Sequence, residues 1–157
     1  MPVITLDTII SAPPERCFDL SRSIDLHEES TGQTDEQAID GVTSGLIGPG
    51  EFVTWRARHF GIYQTLTSRI TGFDRPRTFT DEMVEGAFAG FVHTHSFVPQ
   101  DGQTLMRDEF DYTSPLGPLG RLADWLFLKR HMRQLLETRI AVIKEVAESD
   151  RYHAFLP

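Results

Sequence analysis

Residues 118–149 read PLGRLADWLFLKRHMRQLLETRIAVIKEVAES, 32 residues with no internal proline and no glycine after Gly120. At 1.5 Å rise per residue such a run makes a helix about 45 Å long. Leu122, Trp125, Leu128, Met132, Leu136, Ile140, Ile143 and Ala147 recur at steps of three and four, so one apolar stripe follows the whole length. Leu119, Leu126, Leu135, Val142 and Val146 widen it, while Arg121, Lys129, Arg130, Arg133, Glu137, Lys144 and Glu145 occupy the other side. The rest of the chain offers few helical periods, so other helices cannot cover this stripe. A sheet has to wrap it.

The remainder reads mostly as strand. Val3 to Ile10 alternates, with Ile4, Leu6, Thr8 and Ile10 as the inward set. Ser11-Ala-Pro-Pro-Glu15 predicts a serine cap and prolines in the first turn of a short helix ending near Ser21. Ser23 predicts the cap of a second one. A short strand follows around residues 38–42, then a glycine-rich turn. Phe52 to Phe60 turns Val53, Trp55, Ala57 and His59 to one face and Arg56 and Arg58 to solvent. Phe60-Gly61 is a tight reversal, after which Ile62, Gln64, Leu66, Ser68 and Ile70 point inward. Phe79, Asp81 and Met83 share a face of the next strand, and Phe91, His93, His95 and Phe97 a face of the one after. Asp101-Gly102 is the strongest hairpin signal. As the central pair of a two-residue turn it sets Phe97 opposite Met106, His95 opposite Asp108 and His93 opposite Phe110.

The order is one strand, two short helices, six more antiparallel strands and a long terminal helix. Successive hairpins twist and curl, and a helix across the concave side buries both apolar surfaces. The fold class expected is therefore α+β, with a curved seven-stranded sheet wrapped around the last helix, as a single domain over residues 1–157.

Composition narrows the partners. A net charge of −8 argues against nucleic acid, whose recognition needs clustered Lys and Arg. No segment reaches the ~20 apolar residues of a membrane span. MPVITLDTII lacks the basic and apolar regions of a signal peptide, so the cytoplasm is the expected location. A single cysteine, Cys17, excludes an internal disulfide, and between Arg16 and Phe18 it reads as a small buried residue. Residues 1–50 hold two basic and nine acidic residues, residues 117–157 seven basic and five acidic. A solvated surface accounts for that asymmetry, which would also let an acidic face meet a basic one in a homodimer.

The segments WRARHFG (55–61), SRITGF (68–73), HTHSF (93–97) and DYTSPLGPLGRLAD (111–124), in this order of elements, resemble the START-like, Bet v 1-like helix-grip (SRPBCC) superfamily, in particular its bacterial polyketide cyclase/dehydrase and lipid-transport group. The resemblance covers nearly the whole chain. It implies a cavity between sheet and terminal helix that admits a small apolar molecule. It does not single out a reaction, because lipid carriers, hormone receptors, aromatic cyclases, quinone-binding proteins and co-chaperones share the scaffold.

The inward faces gather candidates for that cavity. Trp55, Leu66, Met83 and Phe97 come from the earlier strands, Met106 and Phe110 from the last one, and Trp125 and Met132 from the helix. Among them stand the polar His59, Gln64, Asp81 and His93. An apolar cleft with a few convergent polar groups marks a ligand site, and the function expected is binding of a small hydrophobic molecule: a lipid, an isoprenoid or an aromatic polyketide. His95 opposite Asp108 is the sharpest pair, since a carboxylate fixes the imidazole tautomer and favours its charged form. The alternative is a polyketide cyclase or dehydratase that uses His95 and Asp108 as acid and base on an enolisable carbonyl. Two buried polar residues that merely satisfy each other would look the same. A third reading is a co-chaperone-like partner module with a filled interior and an exposed apolar patch. His93 and His95 also have metal-ligand spacing, with His59 or Asp81 as a third ligand, but nothing else in the chain does; no metal and no cofactor is expected. His27, beside Glu28 and Glu29, reads as an exposed helical histidine, with a place at the cavity rim as the alternative, and residues 129–133, KRHMR, as the wet face of the helix, with contact to an anionic headgroup or membrane surface as theirs.

Overall fold

The computed structural model describes residues 2–157. β1 (Val3–Ile10) is followed by helices α1 (Pro14–Ser21) and α2 (Ile24–Ser30). Six strands come next: β2 (Gln37–Gly41), β3 (Phe52–His59), β4 (Ile62–Asp74), β5 (Thr78–Glu85), β6 (Gly90–Gln100) and β7 (Gln103–Thr113). The chain ends in α3 (Gly117–Ala123), a π-helical segment (Asp124–Leu128), α4 (Lys129–Ala147) and a 3₁₀ turn (Asp150–Ala154). The seven strands form one antiparallel sheet in the order β1-β7-β6-β5-β4-β3-β2. This is a helix-grip architecture.

The turns set the register. Asp101 and Gly102 both have positive φ (51° and 78°), the backbone of a type I′ turn, and the hairpin pairs Phe97 with Met106, His95 with Asp108 and His93 with Phe110. Phe60 and Gly61 (φ 52° and 79°) make the same kind of turn between β3 and β4. Its tip lies beyond the packed interior, so Ile62, expected to point inward, is exposed. Register shifts within the β4–β5 pairing, between Thr67 and Ser68 and between Ile70 and Gly72, bend the sheet toward the helix.

The tight end of the grip is aromatic. Phe18 of α1 meets Phe73, Phe79 and Phe97 edge to face, with centroids 5.2–5.5 Å apart. Ile140, Ile143, Val146 and Ala147 of α4 close over the same cluster. Ser23 caps α2 by accepting from Leu26 N at 3.2 Å. Ser11 does not cap α1. The helix begins after Pro13 without a side-chain cap, and Ser11 N donates instead to Glu148 Oε2 at 2.7 Å.

The terminal helix differs from its sequence reading in one way that matters. The helical run is continuous from Gly117 to Ala147, but its middle, Asp124–Leu128, is π-helical. A π turn inserts an extra residue, which rotates everything before it by about 100° relative to a regular helix. The stripe is therefore in phase from Leu128 onward and out of phase before it. Leu122 and Trp125, expected to face the sheet, are 52% and 80% exposed. Gly120 is required at its position: a Cβ there would lie 1.5 Å from the Pro115 carbonyl oxygen. Among the described residues no helix is long and apolar enough to cross a membrane.

Candidate functional site

Between the concave face of the sheet and the first half of α4 lies a cavity of about 320 Å³. Leu128, Met132, Leu135 and Leu136 roof it, and Val53, Leu66, Ile70 and Phe110 are among its apolar walls. The polar groups fall into a deep cluster on β5–β7 and a set at the rim.

The deep cluster follows from strand register. Asp81 pairs with His93, Phe79 with His95, and His95 with Asp108, so alternate positions on three adjacent strands point to one spot. The two imidazoles lie against each other with ring centroids 3.9 Å apart, and His95 also stacks on Phe79 at 4.2 Å. A carboxylate stands on either side. Toward the cavity, Asp81 Oδ1 is 3.1 Å from His95 Nε2 and 3.9 Å from His93 Nδ1. Away from it, Asp108 Oδ1 is 3.2 Å from His95 Nδ1 and Asp108 Oδ2 is 3.4 Å from His93 Nε2. The contacts to Asp108 are close but poorly directed. Among the described residues, neither His93 Nε2 nor Asp108 Oδ1 finds an aligned hydrogen bond.

Charge is divided unequally over the four groups. Burial opposes ionisation of Asp108, but the attraction of His95 and the closeness of both imidazoles outweigh it and hold the carboxyl far below its usual range. Asp81 is lowered likewise, burial being overcome by the His95 hydrogen bond and by His93, His95 and Arg139. Burial also works against a charged His95, yet Asp108 and Asp81 raise its pKa. His93 goes the other way: burial and the charge on His95 lower it more than the carboxylates raise it.

The rim is built from different parts. His27 stacks on Trp55 with centroids 4.1 Å apart and bonds Glu36 Oε1 through Nε2 at 2.7 Å. Burial would raise Glu36, but the charges of His27, His59 and Arg139 keep it low. His59 Nδ1 and His131 Nε2 share a hydrogen bond at 3.1 Å, joining the end of β3 to α4. Burial lowers the pKa of both of these histidines. Arg139 also reaches the cavity and donates through Nη2 to Ser21 O at 2.7 Å.

Of the residues singled out from the sequence, Trp55, His59, Gln64 and Leu66 line the cavity, as do Asp81, His93, His95, Phe110 and Met132. Five do not. Phe97 and Met106, each 1% exposed, belong to the packed core, where Ser21 Oγ lies 3.6 Å from Met106 Sδ. Met83 packs with the smaller cluster of Ile4, Phe91 and Phe110, outside the cavity lining. Asp108 sits behind the imidazoles. Trp125 is in solvent because of the π turn. Sequence reasoning missed Glu36, His131 and Arg139, and held a place at the rim for His27 only as an alternative. His131, Leu135 and Arg139 lie four residues apart along one flank of the apolar stripe, a signal hidden by the basic neighbours of His131.

The family described as polyketide cyclase/dehydrase and lipid transport matches residues 1–148, and the chain belongs to it. Its fold is shared with the protein TTHA0849 from Thermus thermophilus, at 19% identity over 98% of each chain and a TM-score of 0.76. It is also similar to ginseng major latex-like protein 151 from Panax ginseng, at 16% identity over 94% of this chain and 98% of that one, with a TM-score of 0.64. The Aha1 dimer from Colwellia psychrerythraea aligns at 14% identity over 94% of this chain and 97% of its own, also with a TM-score of 0.64. No curated protein matches the chain.

Proposed function

We propose that this protein binds a small, mainly apolar molecule between the sheet and α4, as a carrier or sensor without catalysis. The observation that carries the reading is the cavity of about 320 Å³, apolar along its walls, with polar groups confined to its depth and its rim. That volume lies at the lower end of small-molecule sites, where a few placed polar groups orient a ligand held by apolar contact. A compact lipid fragment, an isoprenoid or an aromatic polyketide with one polar end suits it, and the lipid-transport part of the family description supports the class. Native mass spectrometry of protein purified from its own source, with a thermal-shift panel of fatty acids, isoprenoid alcohols and polycyclic phenols, tests it. A bound apolar species and a saturable rise in Tm are expected. No bound species and no shift anywhere in the panel would reject the reading.

A second reading has one observation in its favour. His95 stands between two carboxylates, with Nε2 toward the cavity beside Asp81 and Nδ1 backed by Asp108. In a cyclase or dehydratase this imidazole and Asp81 would exchange a proton with an enolisable carbonyl, Asp108 fixing the ring. His95→Gln keeps the side-chain size and removes the titrating group. Unchanged turnover of a candidate polyketide would end this reading without touching the first.

A further inference from the structure

We propose that Asp81, His93 and His95 form a site for one divalent first-row transition-metal ion, with Asp108 as the carboxylate that positions both imidazoles. The inference goes beyond the apolar cavity and does not depend on what occupies it.

Donor geometry is the first argument. One carboxylate oxygen of Asp81 and one nitrogen from each histidine lie within 4.8 Å of one another. Asp81 Oδ1 is 3.1 Å from His95 Nε2 and 3.9 Å from His93 Nδ1. Ligand atoms about 2.0–2.2 Å from a common ion are separated from each other by roughly 3–3.6 Å. Ordinary side-chain rotation covers the remaining difference. His93 and His95 are two residues apart on β6, and Asp81 faces them from β5, so the ligands stand on a rigid hydrogen-bonded frame.

The second argument is what stands behind the donors. The nitrogens turned away from Asp81, His95 Nδ1 and His93 Nε2, both face Asp108, at 3.2 and 3.4 Å. A carboxylate that takes the distal N–H of a ligating histidine fixes the tautomer and leaves the proximal lone pair free for the ion. Here one buried carboxylate stands within 3.4 Å of both rings, close but not aligned, which leaves His93 Nε2 and Asp108 Oδ1 without hydrogen bonds among the described residues.

The third argument concerns access and ion type. Asp81, His93 and His95 line the cavity and Asp108 does not, so the coordination positions left open face the space where a small molecule would sit. Three protein ligands with an open side characterise sites that also bind water or a ligand oxygen, in contrast to closed structural sites. Two imidazoles and one carboxylate favour zinc, iron or cobalt over calcium or magnesium, which prefer all-oxygen shells.

The test is titration of chelator-treated full-length protein with Co²⁺ and Zn²⁺, and anaerobically with Fe²⁺, with no apolar ligand present. Expected are a single saturable equivalent, a Co²⁺ d–d band that Zn²⁺ abolishes by displacement, and a rise in Tm; an intense band marks a four-coordinate, zinc-like site and a weak one a six-coordinate, iron-like site. Asp81→Asn should remove the band. Asp108→Asn, which touches no ion, should weaken binding by about 10- to 100-fold and shift the band, a change that loss of packing alone would not produce. His153→Ala, an exposed histidine outside the cavity, should change nothing. Absence of the band in the unmodified protein at excess Co²⁺ would overturn the proposal with no variant needed. Binding that survives Asp81→Asn in folded protein, or that His153→Ala abolishes, would overturn it as well.

Discussion

The two ends of the C-terminal helix receive opposite treatment from the same sheet. Ile140, Ile143, Val146 and Ala147 disappear into a core capped by Phe18, whereas Leu119, Leu122, Trp125 and Leu126 stand mostly in water although their sequence is at least as apolar. The difference lies in phase. A π segment over Asp124–Leu128 separates the two stretches, so the stripe that meets the sheet below it looks away from the sheet above it. Between them Leu128, at the end of the π segment, and Met132 and Leu136 of α4 pass over the cavity. Stability and hollow space are thus assigned to different lengths of one helix: the end near Ala147 is filled by aromatic side chains, and the stretch after the π segment spans a gap.

That contrast can be broken or sharpened by substitution. The largest effect belongs to the tight end. Phe18→Ala removes a ring that touches three others and should cost about 3–5 kcal/mol in denaturant unfolding. Gly120→Ala should come next. Its Cβ meets the Pro115 carbonyl oxygen at 1.5 Å, so the start of α3 must shift, at about 1–3 kcal/mol, with faster hydrogen exchange confined to residues 115–123. Third is Asp19, which accepts two bonds from Arg75 and one from Arg22. Burial works against its charge, yet the two arginines hold the carboxyl below its ordinary value. A depressed carboxyl stabilises the fold above its unfolded pKa near 4, and that stabilisation disappears as pH falls through the lower, folded value. Asp19→Asn should therefore cost about 1–2 kcal/mol at pH 7 and flatten the acid limb of a stability profile recorded from pH 5 downward. A steeper acid limb in the variant would contradict the assignment. Smallest of all, Trp125→Ala should change unfolding free energy by less than about 0.5 kcal/mol despite removing the largest side-chain type. A cost of several kcal/mol there would mean that the upper half of the helix is gripped after all.

Much of the fold was legible because its signals are local. Asp101-Gly102 admits a left-handed two-residue turn, and that one turn fixed the partners of His93, His95 and Phe97 along the whole β6–β7 hairpin. Alternation identified which side chains point inward. It could not say what they point at. Phe97 and His95 share a face of β6, but Phe97 lies one step nearer α1 and enters the core, while His95 lines the hollow. On β7 Met106 likewise enters the core, while Asp108 stands behind the two imidazoles. The π segment was invisible because its residues have no propensity that distinguishes it from an α-helix; in the fold its first residue, Asp124, accepts a hydrogen bond from Tyr112 Oη of β7. His27 looked like a surface residue beside Glu28 and Glu29, and its place against Trp55 depends on how α2 docks on β3, which no short spacing encodes.

The strand order has a consequence for how the chain comes together. From β2 to β7 every strand is bonded to its sequence neighbour, so five hairpins can zip up one after another at little entropic expense. β1 is the exception: Val3 pairs with Asp111 and Ile10 with Thr104, about a hundred residues downstream. On a ribosome the first strand therefore waits, unpaired, until the seventh has emerged, and the helical roof follows later still. The sheet's outer edge and its hollow are completed by the last third of the polypeptide.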